Sequence, residues 1–274
     1  MYIKGNTRIT GLFGYPVEHS FSPPMHNAAF DHLGLNFCYL PFAVHPASLK
    51  AAVESVRALN MAGVNVTIPH KEAVIPFLDS LDDEAAFIGA VNTIVNSDGT
   101  LTGFNTDGRG FLRSLKEHNI HPEDKTILMI GAGGASRAIS YYLSRTAFQM
   151  HFSDIDRKKS DKLVSDLSSM VGNVSVLQNL KNLEQYEIII NATPLGLKEE
   201  DPLPFDVSAL ADHQIVCDLI YKTTRLLEHA ARRGCRTLDG SGMLLWQGAL
   251  SFELWTHVSP PIDIMKKALT DQMK

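Results

Sequence analysis

Apolar residues in this chain recur with two periods, and their alternation lays out two α/β halves. Ile9-Thr10-Gly11-Leu12-Phe13-Gly14 predicts a short buried strand ending in glycine. Pro23 to Leu33 carries helical spacing, with Pro23 and Pro24 acceptable in a first turn and Gly34 as the stop. Phe37 to Phe42 predicts a strand, Pro46 to Leu59 an amphipathic helix, and Gly63-Val64-Asn65-Val66-Thr67 another strand. Pro69 suits the first position of a further helix. Such alternation implies a mainly parallel sheet covered on both faces.

Near Ala90 the pattern changes. Ala90 to Val95 and Leu101 to Phe104 flank Asn96-Ser97-Asp98-Gly99, which predicts a hairpin. A helix from Asp107 to His118 follows, then the polar joint His121-Pro122-Glu123-Asp124, with a domain boundary expected on the near side of that helix. Thr126 to Ile130 is a continuous apolar run, as a doubly buried strand requires. Helical spacing at Ser136 to Ser144 and Arg157 to Ser169 alternates with strands at Phe148 to Ser153, Val174 to Leu177, Glu187 to Ile190 and Ile215 to Asp218. Met243 to His257 and Pro261 to Met273 predict closing helices that need not belong to the second sheet.

Composition narrows the class. The 274 residues suit one large domain or two ordinary ones, and 25 basic against 30 acidic side chains leave a net charge of −5. That balance argues against a dedicated nucleic-acid binder. Apolar residues at 45% and charged ones at 20% are enough for a sizeable core. The three cysteines, Cys38, Cys217 and Cys235, form no C-x-x-C pair, which argues against a disulfide framework or a structural zinc. The N-terminus shows no signal segment, and no apolar run reaches the ~20 residues of a membrane helix. The expectation is a soluble cytoplasmic protein, without nucleic-acid or membrane partners.

Gly131-Ala132-Gly133-Gly134-Ala135-Ser136 lies between a buried strand and a helix, the setting of a dinucleotide-binding turn. Ser136 replaces the third glycine of the usual fingerprint. Asp154 stands 20 residues after Gly134, at the end of the next strand. A carboxylate there accepts hydrogen bonds from the adenosine ribose and repels the extra phosphate of NADP, favouring NAD. Arg157-Lys158-Lys159 stands near enough to attract that phosphate, or forms a solvated helix start.

The first half supplies polar candidates near its strand ends: Ser20 and Ser22, Asn65 and Thr67, Lys71, Asn92 and Asp107. Ser22 taken alone suits the cap of the helix that Pro23 opens, whereas Ser20 has no such role, and the two together make a carboxylate clamp. Asn65 and Thr67 share one face of an otherwise apolar strand. Asp107 or Thr106 suits an N-cap. Lys71, in the first turn of a helix after Pro69, would feel the unfavourable end of its dipole and become a proton-exchange group. The histidines show no metal-ligand pattern, so no metal is expected.

These residues fall into ordered motifs: Gly14-Tyr15-Pro16 through Ser20-Phe21-Ser22-Pro23 with His26-Asn27; Asn65-Val66-Thr67-Ile68-Pro69-His70-Lys71; Gly89-Ala90-Val91-Asn92-Thr93; Asn105-Thr106-Asp107-Gly108; Asn191-Ala192-Thr193-Pro194-Leu195-Gly196; and Asp239-Gly240-Ser241-Gly242-Met243 with Gln247. Through them the chain resembles the shikimate dehydrogenase family over nearly its whole length. The resemblance implies an NAD(P)-dependent oxidoreductase of aromatic amino-acid biosynthesis that interconverts 3-dehydroshikimate and shikimate. It implies a substrate domain of residues 1–106 plus 240–274 and a Rossmann domain of residues 107–239, with a deep cleft between them where hydride passes.

By the same resemblance Ser20 and Ser22 hold the substrate carboxylate, and Asn65, Thr67, Asn92, Asp107 and Gln247 the ring hydroxyls, with Tyr221 nearby. Lys71 is the acid/base, working beside Asp107. The cofactor falls to Gly131, Ala132, Gly133, Gly134, Ala135, Asp154, Arg157, Lys158, Lys159 and Thr193, with Asp83, Leu219 and Gly240 at the nicotinamide end. NADP is the family's usual cofactor. Here Asp154-Ile155-Asp156 replaces the usual Asn-Arg-Thr, so NAD is favoured by Asp154 and Ile155. A monomer or homodimer is expected. The alternatives are an NAD-preferring quinate/shikimate dehydrogenase of the same family and a non-catalytic ligand sensor on the same scaffold.

Overall fold

The computed structural model describes residues 3–273, which form two compact units. One runs up to Thr106 and resumes at Leu245; the other is Asp107–Leu244.

The first unit contains β1 (Arg8–Gly14), α1 (Ser22–His32), β2 (Phe37–Ala43), α2 (Leu49–Ala58), β3 (Gly63–Val66), β4 (Ser80–Leu81), α3 (Asp83–Ile88), β5 (Thr93–Ser97) and β6 (Thr100–Phe104). The sheet order is β2-β1-β3-β5-β6-β4. β1 pairs parallel with β2 and β3, whereas β5 runs antiparallel to β3 and β6. Asp98 and Gly99 close the β5–β6 hairpin with φ of 51° and 90°, the left-handed geometry that short hairpin turns demand. Val64 and Val66 of β3, Ile94 of β5 and Leu101 of β6 pack with Val53 and Val56 of α2.

One expected element is missing. No α-helix follows Pro69; residues 68–74 form turns, and a 3₁₀ turn covers Ile75–Phe77. Pro76 explains this, because its ring removes an N–H and blocks the carbonyl four residues back, leaving too little room for a helix between two prolines. The helix-dipole argument for Lys71 therefore has no basis in the fold.

The second unit contains α4 (Asp107–Glu117), β7 (Thr126–Ile130), α5 (Gly134–Leu143), β8 (Gln149–Ser153), α6 (Arg157–Ser168), β9 (Val174–Val176), β10 (Ile188–Asn191), β11 (Ile215–Asp218), α7 (Arg225–Arg232) and β12 (Arg236–Leu238). Every strand pair is parallel, in the order β12-β11-β10-β7-β8-β9. This is the doubly wound arrangement in which the chain reverses direction between β7 and β10, where such sheets bind dinucleotides. Leu128, Ile189 and Val216 from three adjacent strands pack with Leu226 and Leu227 of α7. α4 fits closely on α5, since a Cβ at Gly108 would lie 2.1 Å from the Ala138 carbonyl oxygen.

The division between the units falls inside α8 (Ser241–Thr256). α9 (Ile262–Gln272) packs on α1, and the Trp255 indole donates to the Ile94 carbonyl at 3.0 Å. Among the described residues no helix is long and apolar enough to cross a membrane.

In α1 the His26 ring is fully buried, stacked on Tyr39 with centroids 4.4 Å apart and planes 5° from parallel. Neither ring nitrogen has a hydrogen-bond partner. Burial holds its pKa down at about 3, below the unfolded value near 6.5. The unfolded chain thus binds a proton that the folded chain refuses between those limits, so this group's contribution falls as pH drops below about 6.5. Between pH 7 and pH 5 it should cost about 2 kcal/mol of unfolding free energy. His26→Phe, compared with the parent by urea unfolding at both pH values, should lose that part of the decline; equal declines in the two proteins would contradict the assignment.

Candidate active site

Polar side chains of the first unit meet where β3 ends. Asn65 is 4% exposed on a strand whose four residues are all buried, so its carboxamide must find partners inside the protein. Its Oδ1 accepts from the Tyr39 hydroxyl at 2.9 Å. Its Nδ2 faces the Asn92 carbonyl at 3.1 Å, Thr93 Oγ1 at 3.1 Å and Ser251 Oγ at 2.9 Å. Burial pushes the Tyr39 phenol pKa up, so it stays protonated and donates; the nearby Ser22 hydroxyl acts in the opposite sense.

Asn92 extends the row. Its Nδ2 donates to Thr106 Oγ1 at 2.9 Å and reaches Gln247 Oε1 at 3.4 Å, while its Oδ1 accepts the Thr106 N–H at 2.9 Å. Thr106 Oγ1 also donates to the Gln247 carbonyl at 3.0 Å. Asn65, Asn92 and Gln247 thus belong to one connected network, joined by Tyr39, Thr93, Thr106 and Ser251. Lys71 is half-buried, and its carbonyl accepts the Val91 N–H at 2.8 Å, which sets it beside Asn92. Thr67 is half-buried just past β3, with its N–H on the Phe13 carbonyl at 2.9 Å.

The serine pair reverses one expectation. The N-cap of α1 is Phe21, with no side-chain cap, and Ser22 is already the first helical residue. The local job belongs instead to Ser20, whose Oγ accepts the Ser22 N–H at 3.2 Å. Asp83 is exposed at the start of α3, where the cap is Asp82, accepting from the Ala85 N–H at 2.8 Å. Asp107 is buried at the first position of α4, at the helix end where a carboxylate is electrostatically favoured. It follows Thr106 directly, and so begins where the network of the first unit ends.

The second unit gathers the other candidates at the C-terminal ends of its strands. Gly131 turns the chain after β7 with φ of +99°, and a Cβ there would lie 2.9 Å from the Ala192 carbonyl oxygen. Gly133 is the N-cap of α5, without a side-chain cap, and a Cβ there would meet nothing within 4 Å. α5 thus begins without a side-chain cap and with open space beside Gly133, with the helix dipole behind it, which fits a pyrophosphate. Gly134 and Ala135 open α5 half-buried, and Ala132 is buried.

Asp154 has a structural task here: its Oδ2 accepts the Ala132 N–H at 2.7 Å and its Oδ1 the Asp156 N–H at 2.8 Å. Each oxygen keeps a further lone pair, enough for ribose hydroxyls. Ile155 is fully exposed, and Asp156, not Asp154, caps α6 through the Lys158 N–H at 3.1 Å. Arg157 pairs with Asp161 at 3.5 Å, while Lys158 and Lys159 are exposed. Thr193 turns its hydroxyl onto Asn191 Oδ1 at 2.7 Å. Leu219 is half-buried, with its N–H on the Asn191 carbonyl at 3.0 Å; Gly240 is buried, with its N–H on the Ile220 carbonyl at 3.0 Å. Tyr221 is 39% exposed. No cluster of three or more metal-ligating side chains occurs among the described residues.

Sequence reasoning passed over Tyr39 and Asp218, and it named Asn191 only within a motif, without a role. The available signal was positional: Ile188-Ile189-Ile190-Asn191 and Ile215-Val216-Cys217-Asp218 are apolar strands that each close on one polar residue.

Known proteins resemble the chain throughout. A family model described as shikimate dehydrogenase substrate binding domain matches residues 12–94, and one described as shikimate 5'-dehydrogenase C-terminal domain matches residues 240–270. A protein of Desulforamulus reducens named shikimate dehydrogenase (NADP(+)) is 47% identical over 99% of this chain and 97% of its own. The crystal structure of a shikimate dehydrogenase in complex with NADP+ superposes with a TM-score of 0.94 at 39% identity, covering 100% of this chain and 98% of that one. A shikimate 5-dehydrogenase from Listeria monocytogenes, in complex with shikimate and NAD, gives 0.90 at 39% identity, covering 97% and 98%.

The network makes a stability prediction of its own. Asn65→Leu keeps the branched shape but strands the buried Tyr39 hydroxyl and takes a donor from the Thr93 and Ser251 hydroxyls, which should lower unfolding free energy by about 2–4 kcal/mol in urea titration. A loss below about 1 kcal/mol would show that the carboxamide is not what satisfies them.

Proposed function

The chain belongs to the shikimate dehydrogenase family, and on that premise we propose that it reversibly reduces 3-dehydroshikimate to shikimate with a nicotinamide cofactor, in aromatic amino-acid biosynthesis. The observation that carries this reading is the row of buried Tyr39, Asn65 and Asn92 and half-buried Gln247, hydrogen-bonded beside Lys71. Such a row presents fixed donors and acceptors to a small polyol at no reorganisation cost during the reaction.

In this mechanism Ser20 and Ser22 take the substrate carboxylate. Asn65, Thr67, Asn92 and Gln247 hold the ring hydroxyls, with Tyr221 contributing a further contact. Reduction of the ketone builds negative charge on its oxygen; protonated Lys71 stabilises that charge and delivers the proton, and Asp107 orients both groups. In the oxidative direction neutral Lys71 receives the hydroxyl proton. The bound nicotinamide supplies or takes up the hydride. The turn from Gly131 to Ala135 would hold the pyrophosphate, Asp154 the adenosine ribose, and Asp83, Thr193, Leu219 and Gly240 the nicotinamide end.

The cofactor is NADP, for which the relatives are named, or NAD, and two residues favour NAD. Asp154 offers spare carboxylate lone pairs near the glycine turn, and Ile155 projects an apolar side chain where an arginine would hold the extra phosphate. Arg157, Lys158 and Lys159 remain as exposed cations for that phosphate.

Activity on shikimate with each cofactor tests the assignment directly, and a protein that binds shikimate without turning over either cofactor would be a ligand sensor instead. Lys71→Ala should cut kcat by about a thousandfold while leaving the KM for shikimate within about threefold. Near-normal turnover would remove Lys71 from the chemistry. For the cofactor, Asp154→Asn should raise the ratio of kcat/KM for NADP to that for NAD by about tenfold, and an unmoved ratio would deny Asp154 any part in the choice.

A further inference from the structure

The last residues of β10 and β11 are register partners, and their side chains touch: Asn191 Nδ2 donates to Asp218 Oδ1 at 3.1 Å. Each residue also organises the loop that follows its own strand. Asn191 Oδ1 accepts the Thr193 N–H at 3.1 Å and the Thr193 hydroxyl at 2.7 Å, and its Nδ2 donates to the Leu195 carbonyl at 3.2 Å. Asp218 Oδ1 accepts the Ile220 N–H at 3.1 Å, and its Oδ2 accepts the Thr224 hydroxyl at 2.7 Å. Two loops are thereby tied to each other through one side-chain bridge, and those loops carry Thr193, Leu219 and Tyr221.

The bridge is unusual in its chemistry. Asp218 is 1% exposed, and the groups that donate to it from Asn191, Ile220 and Thr224 are all neutral. Burial lifts the carboxyl pKa above its ordinary value, and Asp239 acts in the same sense, while the hydrogen bonds from Thr224, Ile220 and Asn191 work against that rise. A plain strand end needs no such group: Leu219 N–H already bonds the Asn191 carbonyl, and the strands are in register without the side chains. Burying a carboxylate is costly, and what it secures here is loop placement at the C-terminal edge, on the side of the sheet's direction reversal.

We propose that Asn191 and Asp218 are a positioning pair that holds the loops after β10 and β11 in the arrangement that receives the nicotinamide end of the cofactor. This deepens the functional reading above and rests on it, since that reading assigns Thr193 and Leu219 to the cofactor. The pair touches neither substrate nor cofactor in this scheme; it acts through the two loops.

The test uses the full chain with NADP+ and NAD+ as titrants in calorimetry, together with steady-state kinetics on shikimate. Asp218→Asn keeps the shape but turns one acceptor into a donor. It should weaken binding of the preferred cofactor at least about tenfold and lower kcat by a similar factor, with the KM for shikimate within about threefold. Thr224→Val should show the same split more weakly, and Thr224→Ser, which restores the hydroxyl, should return both values to the parent's. If Asp218→Asn does not fold, the Thr224 pair decides alone. Cofactor affinity within twofold of the parent in the folded variants overturns the proposal. So does a joint loss of cofactor and shikimate affinity that tracks a falling melting temperature, because a purely structural residue gives that result. A parent protein that titrates with neither cofactor defeats the functional reading, and this inference with it; an active parent with unaffected variants defeats this inference alone.

Discussion

A carboxamide buried at the end of a β-strand has four bonding positions and no water to fill them. At Asn65 the Tyr39 hydroxyl takes one carbonyl lone pair, and the two N–H groups are shared among the Asn92 carbonyl and the Thr93 and Ser251 hydroxyls, drawing on β2, the start of the β5–β6 hairpin and α8. Ser251 lies 186 residues further along the chain, so this one group demands that the C-terminal helix return to the first sheet. The closure entropy of so long a loop grows only slowly with its length, and the rest of α8 helps by seating Trp255 on the Ile94 carbonyl.

The same constraint recurs in the second unit with a different solution. There β10 and β11 are nearly all buried and apolar until the last residue, where Asn191 and Asp218 appear. Polar side chains are tolerated at that edge because loop amides and hydroxyls stand ready to pair with them. The edge also collects the uncapped start of α5 and the Gly131 turn, so the groups that can bind a ligand and the groups that need internal partners share one rim. Satisfying the second set places the first.

Much of this was legible from periodicity. Strands β1, β2, β3, β7, β8, β9, β10 and β11, the hairpin and helices α1, α2, α4, α5, α6, α8 and α9 follow from apolar spacing and turn residues, because burial imposes its period on a chain regardless of its fold. The short α3, β4 and β12 escaped notice, since two to six residues carry too little period to stand out. α7 escaped although its Leu226, Leu227 and Ala230 share one face, because it sits between short, polar connections. The helix expected after Pro69 failed because Pro76 was given no weight against it.

The sequence by itself determined the types of chemistry available: the serine pair, the lysine, the glycine turn with Asp154, and the alternation that makes two α/β units. Those follow from side-chain identity and local spacing, which need no knowledge of distant residues. Only the tertiary structure decided which of these groups are satisfied and by what. Ser20 rather than Ser22 supplies the side-chain acceptor at the start of α1, Asp154 secures the glycine turn, and Tyr39 and Asp218 enter the picture at all because they are partners brought together from far along the chain. Hydrogen-bond satisfaction is a property of packed neighbours, and a linear chain does not display its neighbours until it folds.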